Sequence, residues 1–379
     1  MNTNKGTLVI FHCREDTVYA IKTLEERFHE VGKLLSGGNV HFSFTDLSDS
    51  SNSIDPKNDL SIIKFDPTTT NEAELQDISK YIRKHNIECV VGFDQPPGRK
   101  YYKYARQEGI KNIISYWGAS MSNINSGLKL ALKRLEMHFR RYSPDHYIFE
   151  SKAMQDSAIF GRGIDKNKTS ITYLGVDTDK FKPNQALNQY PFKEFSITRN
   201  RNILFYSGLI DPRKGINVLI RTAIELADIR GNKDFHFLRL GNKNDEEAPF
   251  KEMLRFSKAR EHVTFGGYRN DIPSILPECY LGVIASTGWD SFTMSSLEMA
   301  SAGLPLLVSD LQGLKETITN GSTGFLFKPG NHVELADKIE TLIHKKNLQT
   351  SMSQNTRNRI CRNFTTTQQV SSLQNTMKS

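Results

Sequence analysis

Two carboxylates set eight positions apart, Asp290 and Glu298, are the most informative feature of residues 289–305. A carboxylate in a loop can accept hydrogen bonds from sugar hydroxyls, and one in a helix can accept them from a ribose. The residues between them predict the start of a helix, where free N–H groups and the helix dipole favour a pyrophosphate. The pattern therefore predicts a nucleotide-sugar site. Its expected contacts are Asp290, Phe292, Thr293, Met294 and Glu298.

Each of the two carboxylates also has a purely structural explanation. Asp290 fits a loop residue or a helix N-cap. Glu298 completes the capping-box pattern Ser-x-x-Glu with Ser295. For an isolated pair of acids these explanations would prevail, so the residues around the pair must decide.

A basic turn at residues 207–215 could hold the phosphates of such a ligand. Gly208 permits a tight turn after a strand, and Arg213 and Lys214 stand at the beginning of the next helix. Cations at a helix N-terminus oppose its dipole, and an anion bound between them would remove that conflict. A basic surface loop is the alternative.

The acidic segment resembles the signature of the retaining nucleotide-sugar glycosyltransferases of family 4, in which two glutamates are eight positions apart. Asp290 stands at the first acidic position and Glu298 at the second. Residues 299–305 resemble the continuation of that signature, and residues 313–326 resemble the glycine-containing segment that follows it in the family.

The basic turn resembles the phosphate-binding loop of the same family. Lys214 and Gly215 match this loop, whereas Leu209 stands where an arginine usually follows the glycine. We expect Arg213 to supply the missing charge. The resemblance implies that Lys214, Arg213 and Asp290 are the catalytic residues.

The resemblance implies a GT-B fold, an α/β architecture in which two doubly wound Rossmann-like domains face each other across a cleft. It implies transfer of a sugar, with retention of configuration, from a nucleotide donor that we expect to be UDP-linked. The expected acceptor is a glycan or a lipid-linked molecule of surface polysaccharide biosynthesis, such as lipopolysaccharide. The donor is a co-substrate, and neither a cofactor nor a metal ion is expected. A nucleotide-sugar epimerase and an inactive sugar-nucleotide-binding protein are the alternatives.

Two further regions are candidates for completing the site. Tyr268 and Arg269 follow a Gly-Gly pair at a predicted strand end, where they could stack on the nucleotide base, and a plain turn is the alternative. Arg14 follows the first strand, and Tyr116 and Trp117 lie at the end of a later one. Because ligands bind at the carboxyl edge of such sheets, we expect these three residues to contact the acceptor. The two aromatic rings could instead belong to the core.

The sequence offers little evidence for a metal. Asp177 and Asp179 form an Asp-x-Asp pair, but two carboxylates alone are a weak metal signal. We interpret this pair as structural. The four cysteines are far apart and form no Cys-x-x-Cys pair, which argues against a zinc site.

Strands and helices alternate along the whole chain, which predicts parallel sheets covered by helices. Strands are predicted at 7–12, 40–45, 61–65, 88–93, 112–116, 146–149, 170–174, 202–207, 235–240, 262–265, 280–286 and 304–308. Helices are predicted at 17–35, 71–85, 127–141, 216–229, 249–258, 293–302 and 333–344. The resemblance implies an acceptor-binding domain over 1–182, a nucleotide-sugar-binding domain over 200–355, and a C-terminal helix within 356–379 that returns to the first domain.

The composition limits the partners. The chain has 379 residues, a net charge of +8 and 37% hydrophobic residues, which fits packed cores and an anionic ligand. No nucleic-acid-binding signature accompanies this charge, so we expect no nucleic-acid partner. There is no secretion signal and no apolar run of about 20 residues. We therefore expect a cytoplasmic protein, with peripheral contact at the inner face of the membrane left open.

The helix predicted over 127–141 is the segment that could make a peripheral membrane contact. It combines an apolar stripe with basic residues, a composition found in helices that lie on membrane surfaces. We expect instead that this helix packs its stripe on the sheet, as an ordinary domain helix does. The stripe consists of Leu128, Leu132, Leu135 and Phe139.

Overall fold

A computed structural model describes residues 5–15, 19–47, 60–183, 188–242 and 245–378. The chain divides into two compact units. The first is built from Met1–Tyr173 and Thr367–Ser379, and the second from Leu174–Thr366. The ligand-binding roles and the boundaries predicted for the domains stay predictions.

The first unit contains a sheet of seven parallel strands in the order β3-β2-β1-β4-β5-β6-β7. The strands are β1 (Gly6–Ile10), β2 (Val40–Phe44), β3 (Leu60–Lys64), β4 (Ile87–Phe93), β5 (Asn112–Trp117), β6 (His146–Phe149) and β7 (Thr169–Ile171). Every residue of β1 and β2 is buried, as expected for strands covered on both faces. The central position of β1, between β2 and β4, makes this sheet doubly wound.

The main helices of the first unit occupy the crossovers between its strands. They are Tyr19–Ser36, Glu72–Lys84, Tyr101–Gln107, Gly127–Phe139 and Lys152–Asp156, and the C-terminal Thr366–Lys378 completes the set. Residues 17 and 18, where the first predicted helix begins, lie outside the described residues. Asn71 caps the second helix by accepting a hydrogen bond from the N–H of Ala73 at 2.9 Å.

The packing predicted for the helix Gly127–Phe139 is wrong. None of its residues is buried. The stripe is exposed to solvent, with Leu128 78% and Phe139 74% accessible and Leu132 and Leu135 both above half. The periodicity correctly indicated one apolar face, but periodicity cannot tell which surface that face will meet.

The second unit contains six parallel strands in the order β10-β9-β8-β11-β12-β13. They are β8 (Asn202–Ser207), β9 (Phe235–Leu240), β10 (Val263–Phe265), β11 (Leu281–Ile284), β12 (Leu306–Ser309) and β13 (Gly324–Phe327). The prediction missed β13, because its first residue is a glycine within a run of turn residues. A Cβ at Gly324 would lie 1.9 Å from the carbonyl oxygen of Leu306, so glycine allows this edge strand to pair with β12.

The helices of the second unit are more numerous than predicted. The principal ones are Ile216–Ile224, Ala248–Met253, Met294–Ser301, His332–His344 and Lys346–Asn363. The last was not predicted, and it crosses the boundary expected at residue 355. Only Met352, Thr356 and Ile360 of this helix are buried, so its apolar stripe is too thin to stand out in the sequence.

Candidate functional site

The basic turn is shaped by its two ends. Asp211 accepts a hydrogen bond from the N–H of Arg213 at 2.8 Å, which starts a single helical turn over Pro212–Lys214. Gly215 follows with φ of +72°, and a Cβ there would lie 1.7 Å from the carbonyl oxygen of Ala285. Only glycine therefore lets this turn approach the end of β11 so closely.

Lys214 and Asp290 form an ion pair between the basic turn and the acidic segment. The ammonium Nζ lies 2.9 Å from both carboxylate oxygens of Asp290. Asp290 also accepts hydrogen bonds from the hydroxyl of Ser286 at 2.6 Å and from the N–H of Ser291 at 3.0 Å. The side chain of Lys214 remains 31% exposed, whereas that of Asp290 is 8% exposed. The structure thus joins two of the predicted catalytic residues, with the acid inside and the cation towards the surface.

Arg213 lies beside Lys214 but has a different partner. Its Nη2 donates to Asp211 Oδ2 at 2.8 Å, and its side chain is 57% exposed. The hydrogen bonds from Arg213 hold the pKa of the Asp211 carboxyl below its usual value. The stem of Arg213 packs against the loop at Gly288, where a Cβ would lie 2.9 Å from its Cγ. The predicted second cation is therefore in the right turn, with one carboxylate already bound.

The helix that carries Glu298 begins at Met294, and Thr293 is its N-cap. The hydroxyl of Thr293 accepts a hydrogen bond from the N–H of Ser296 at 3.3 Å. The capping-box alternative for Glu298 is wrong, because Ser295 lies inside the helix. The N–H groups of Met294 and Ser295 have no hydrogen-bond partner among the described residues. Free donors of this kind suit an anion.

Tyr268 and Arg269 follow β10 and differ from each other in environment. Tyr268 is 54% exposed. Arg269 donates to Asp271 at 2.8 Å and pairs with Glu194 at 2.9 Å, and its guanidinium lies over the ring of Phe195 at 5.4 Å. The hydrogen bonds to Asp271 raise the pKa of Arg269. Arg269 thus belongs to a local cluster, and the base-stacking role assigned to the two residues stays a prediction.

Three aromatic side chains expected at ligands are buried. The ring of Phe292 packs on Phe364, with centroids 5.2 Å apart. Tyr116 is inaccessible and donates its hydroxyl proton to Glu150 at 3.0 Å, and Trp117 is 7% exposed. This burial favours the alternative in which Tyr116 and Trp117 belong to the core.

Arg14 occupies an exposed position after β1. The pKa of the nearby Asp46 carboxyl is lowered, mainly by its hydrogen bond with Lys64 and in smaller part by the charge of Arg14. Nothing in this surrounding tests the acceptor contact predicted for Arg14.

Sequence reasoning missed two acids, Asp94 and Glu150, at the carboxyl edge of the first unit's sheet, where His12 also lies. Asp94 directly follows β4 with φ of +49°, and its carboxylate accepts from the N–H of Gly118 at 2.9 Å. Glu150 directly follows β6, and burial raises its pKa to about 8. Nδ1 of His12 lies 3.1 Å from the carbonyl oxygen of Phe93. The available signal was position, because each of these residues comes immediately or soon after a strand.

Arg239 was missed as well. It lies in β9, directly before Leu240, and its Nη2 donates to the carbonyl oxygen of Gly208 at 2.7 Å. A charged residue within the apolar run of a buried strand was the sequence signal for it.

The Asp-x-Asp pair closes a turn. Oδ1 of Asp177 accepts hydrogen bonds from the N–H groups of Asp179 and Lys180, each at 2.9 Å. Within the described parts of the chain, no three or more His, Cys, Asp or Glu side chains are grouped so that they could hold a metal ion. These contacts support the structural interpretation of the pair.

Comparison with known proteins supports the predicted resemblance. Residues 191–359 match the family model described as Glycosyl transferases group 1. A glycosyltransferase from Rickettsia africae ESF-5 has the same fold, with a TM-score of 0.83 and 17% identity over 99% of this chain and 98% of that one. The predicted resemblance and the GT-B fold are thereby confirmed, and the stretch that resembles the group 1 glycosyltransferases is residues 191–359.

Two curated relatives are more informative about chemistry. One is the UDP-Gal:alpha-D-GlcNAc-diphosphoundecaprenol alpha-1,3-galactosyltransferase of Escherichia coli, 27% identical over 303 residues, which are 78% of this chain and 76% of the relative. The other is the N,N'-diacetylbacillosaminyl-diphospho-undecaprenol alpha-1,3-N-acetylgalactosaminyltransferase of Campylobacter jejuni. It is 26% identical over 67% of this chain and 64% of its own length.

Proposed function

We propose that this protein transfers a sugar from a UDP-sugar to a lipid-linked glycan, with retention of anomeric configuration and without a metal ion. The donor and the lipid-linked acceptor are supported by the Escherichia coli relative, whose name contains both. The Campylobacter jejuni relative is also named for a diphospho-undecaprenol acceptor. Both names describe an alpha linkage, which a retaining enzyme would form from an alpha-linked donor. Surface polysaccharide biosynthesis is the process that such acceptors serve.

The observation that carries the proposal is the ion pair between Lys214 and Asp290. It joins the basic turn to the acidic segment at the carboxyl ends of β8 and β11, where ligands of parallel sheets bind. The first N–H groups of the helix Met294–Ser301 follow four residues after Asp290. One cation and two free N–H donors are thus brought to one sheet edge, a combination suited to a diphosphate.

These groups would act mainly as the glycosidic bond breaks. The departing nucleoside diphosphate gains negative charge, and a nearby ammonium stabilises that charge more strongly in the transition state than in the ground state. Arg213 would add to this effect if it leaves Asp211 when the donor binds. Glu298, buried in the helix, would accept hydrogen bonds from the ribose, and Asp290 would face the sugar while holding Lys214.

A direct assay tests this function. Purified protein is incubated with a panel of UDP-sugars and a diphosphoundecaprenol-linked N-acetylhexosamine, and products are identified by mass spectrometry. We expect one UDP-sugar to be consumed with formation of an elongated lipid, and NMR of the product to show an alpha linkage. A beta product from an alpha donor would overturn retention, and binding of UDP without any transfer would favour the inactive binding protein. The epimerase alternative has no support from the relatives.

The metal requirement has its own test. Because lysine and backbone donors would neutralise the diphosphate, we expect the transfer rate to persist in excess EDTA. Loss of activity that Mg²⁺ or Mn²⁺ restores would overturn metal independence.

Peripheral contact with the membrane is the remaining part of the proposal. The helix Gly127–Phe139 exposes its leucine stripe, and the residues beside the stripe include Lys129, Lys133 and Arg134. An exposed apolar face flanked by cations is typical of helices that lie in an anionic membrane surface. Among the described residues no helix combines the length and apolarity needed to cross a bilayer. The site of action would then be the inner face of the cytoplasmic membrane.

Co-sedimentation with vesicles tests this contact. We expect binding to vesicles that contain an anionic phospholipid, weaker binding to neutral ones, and loss of binding on replacement of Leu128 and Leu132 by serine. Ile229, which is 73% exposed in the second unit, provides a matched control, and Ile229→Ser should leave binding unchanged. Equal sedimentation of the leucine variant and the wild type would contradict the membrane contact.

A further inference from the structure

Arg239 is a buried cation that forms no direct ion pair with a described carboxylate, and the effect of burial on its pKa is only partly offset by the charges of Glu246 and Glu247. It is the largest fully buried side chain among the described residues, with 2% of its surface exposed. Its Nε and Nη1 are buried without a hydrogen-bond partner, and no described carboxylate forms an ion pair with it. Burial lowers the pKa of Arg239, although an arginine keeps its proton in any protein. A buried, unpaired charge is unfavourable by itself, so this position calls for an explanation.

The side-chain hydrogen bond of Arg239 goes to the basic turn. Its Nη2 donates to the carbonyl oxygen of Gly208 at 2.7 Å. The guanidinium lies 5.9 Å from the ring centroid of Tyr206, and the hydroxyl of Tyr206 donates to the carbonyl oxygen of Lys214 at 3.3 Å. Neighbouring side chains of β9 and β8 therefore hold the carbonyl groups at the beginning and at the end of the turn.

The bond to Gly208 also orients the next peptide. The chain contains no cis peptide bond among its described residues. In a trans peptide the C=O and N–H groups point in opposite directions. With the Gly208 carbonyl held towards Arg239, the N–H of Leu209 must point away from the buried guanidinium. This N–H has no hydrogen-bond partner among the described residues.

Leu209 is the position where the arginine of the family's phosphate-binding loop is absent. Its side chain is 48% exposed and carries no charge. Arg239 places a positive charge directly behind this position, in a low-dielectric interior where water screens it little. The turn therefore receives from β9 a positive charge behind the position of Leu209, in addition to those of Arg213 and Lys214.

We propose that Arg239 is a positioning residue of the donor site, which holds the Gly208 carbonyl, turns the Leu209 N–H towards the donor diphosphate and supplies positive potential from behind the turn. This inference rests on the proposed function, because it assigns the diphosphate to this turn. Arg239 acts through the turn and does not itself touch the donor.

The test uses Arg239→Met and Arg239→Lys in the full-length protein, with UDP affinity measured by calorimetry and kinetics measured for donor and acceptor separately. We expect Arg239→Met to weaken UDP binding roughly 10- to 100-fold, the range for loss of one charged hydrogen bond. The donor KM should rise and the acceptor KM should stay within twofold. Arg239→Lys, which keeps the charge, should recover part of the loss.

A matched control separates positioning from stability. Arg230 forms ion pairs with Glu225, Asp337 and Glu340. Arg230→Met should lower the melting temperature without a selective change in donor KM. Arg239 is merely structural if Arg239→Met, like the control, lowers the melting temperature without a selective change in donor KM. Equal changes in donor KM and acceptor KM would lead to the same conclusion.

Leu209→Arg in the wild-type background gives an answer that does not depend on the stability of the Arg239 variants. If Arg239 already supplies the missing charge, Leu209→Arg should change UDP affinity less than threefold in the wild type and strengthen it more than tenfold in Arg239→Met. Tenfold tighter binding of UDP by the single variant would overturn the proposal. Absence of UDP binding and transfer in the wild type would instead contradict the proposed function.

Discussion

The carboxyl edges of the two sheets carry different kinds of ionisable group. In the second unit the edge presents Lys214 and Arg213, and each cation is paired with an aspartate. In the first unit the edge carries Asp94 and Glu150, and burial raises the pKa of both carboxyl groups. Cations held at a surface suit phosphate groups, whereas protonated or buried acids hydrogen-bond to hydroxyl groups.

The comparison shows how each edge keeps its charges in the fold. The cations of the second unit each form an ion pair with an aspartate and remain partly exposed at the surface. The acids of the first unit have no cation paired with them among the described residues, so burial favours their protonated form. The same architecture therefore supports two electrostatic environments, and the residues that follow the strands decide which one forms.

The largest effect is expected from Gly215→Ala. A Cβ at this position would lie 1.7 Å from the carbonyl oxygen of Ala285, and φ is +72°. The turn would have to separate from the end of β11, so we expect unfolding of the second unit or loss of its activity. Gly231→Ala is the control, because φ there is +65° with nothing within 4 Å of the added Cβ.

Gly231→Ala isolates the free-energy cost of placing a residue with a Cβ in a left-handed backbone conformation, which is about 1–2 kcal/mol. Gly231→Ala should therefore lower the melting temperature by a few degrees only. Thermal melts of both variants, followed by circular dichroism, check the comparison. Equal shifts for the two alanines would show that the turn does not need its close approach to β11.

Lys214→Ala should have the next largest effect. It removes a charge that faces the developing charge of the leaving group, so we expect kcat/KM to fall by roughly 10²-fold or more. Lys80→Ala, which breaks an exposed ion pair with Asp77, is the matched control and should leave kcat/KM unchanged. Steady-state kinetics with the donor identified by the assay measures both. A loss of less than fivefold in Lys214→Ala would remove this lysine from the catalytic residues.

Asp290→Asn tests whether the function of Lys214 depends on its ion pair with Asp290. Asparagine keeps the shape of the side chain, but it leaves Lys214 with at most one neutral acceptor in place of two carboxylate oxygens. We expect kcat/KM to fall roughly tenfold, equivalent to about 1.4 kcal/mol, because both the sugar contact and the position of Lys214 change. UDP affinity should fall by less than kcat/KM, because the free N–H groups of the helix Met294–Ser301 would still bind the diphosphate. If calorimetry shows UDP binding falling as much as kcat/KM, Asp290 acts on the nucleotide and not on the sugar.

The two edges also differ in how far they could be predicted. The residues of the second edge stand in contiguous segments, so Lys214, Gly215, Asp290 and Glu298 could be recognised together by their spacing. The structure then added the ion pair between two of them. The residues of the first edge stand singly after separate strands, and only the folded sheet brings them together. No spacing along the chain connects Asp94 with Glu150.

Tertiary packing explains the other differences between the predicted and the observed structure. The alternation of elements predicted both sheets, because burial of parallel strands leaves a strong apolar pattern. The glycine-led β13 and the thinly apolar helix Lys346–Asn363 left too weak a pattern. The stripe of the helix Gly127–Phe139 was visible, yet its exposure depends on what surrounds it. The buried position of Tyr116 likewise follows from neighbours that are distant in sequence.

A change of stability with pH is expected at the first edge. Burial raises the pKa of Glu150 to about 8, from an ordinary value of 4.5. Between these values the folded state binds more protons than the unfolded state at this group. The free energy of unfolding therefore falls as pH rises from about 5 to 8, by at most about 1.4 kcal/mol per pH unit.

Glu150→Gln should remove this contribution, since glutamine does not titrate and keeps an oxygen to accept the proton of Tyr116. The variant should therefore gain stability relative to the wild type as pH rises through this window, and the two should be similar near pH 4.5. Glu25, whose pKa burial raises to about 7, titrates in both proteins and cancels in the difference. Glu88→Gln, at an exposed ion pair with Lys5, is the control with no expected slope. Denaturant unfolding of the first unit at several pH values measures the difference. If the free energy of unfolding changes with pH in the same way in the wild type and in Glu150→Gln, Glu150 is ionised in the folded state. The contrast between a protonated acidic edge in the first unit and a cationic edge in the second would then be wrong.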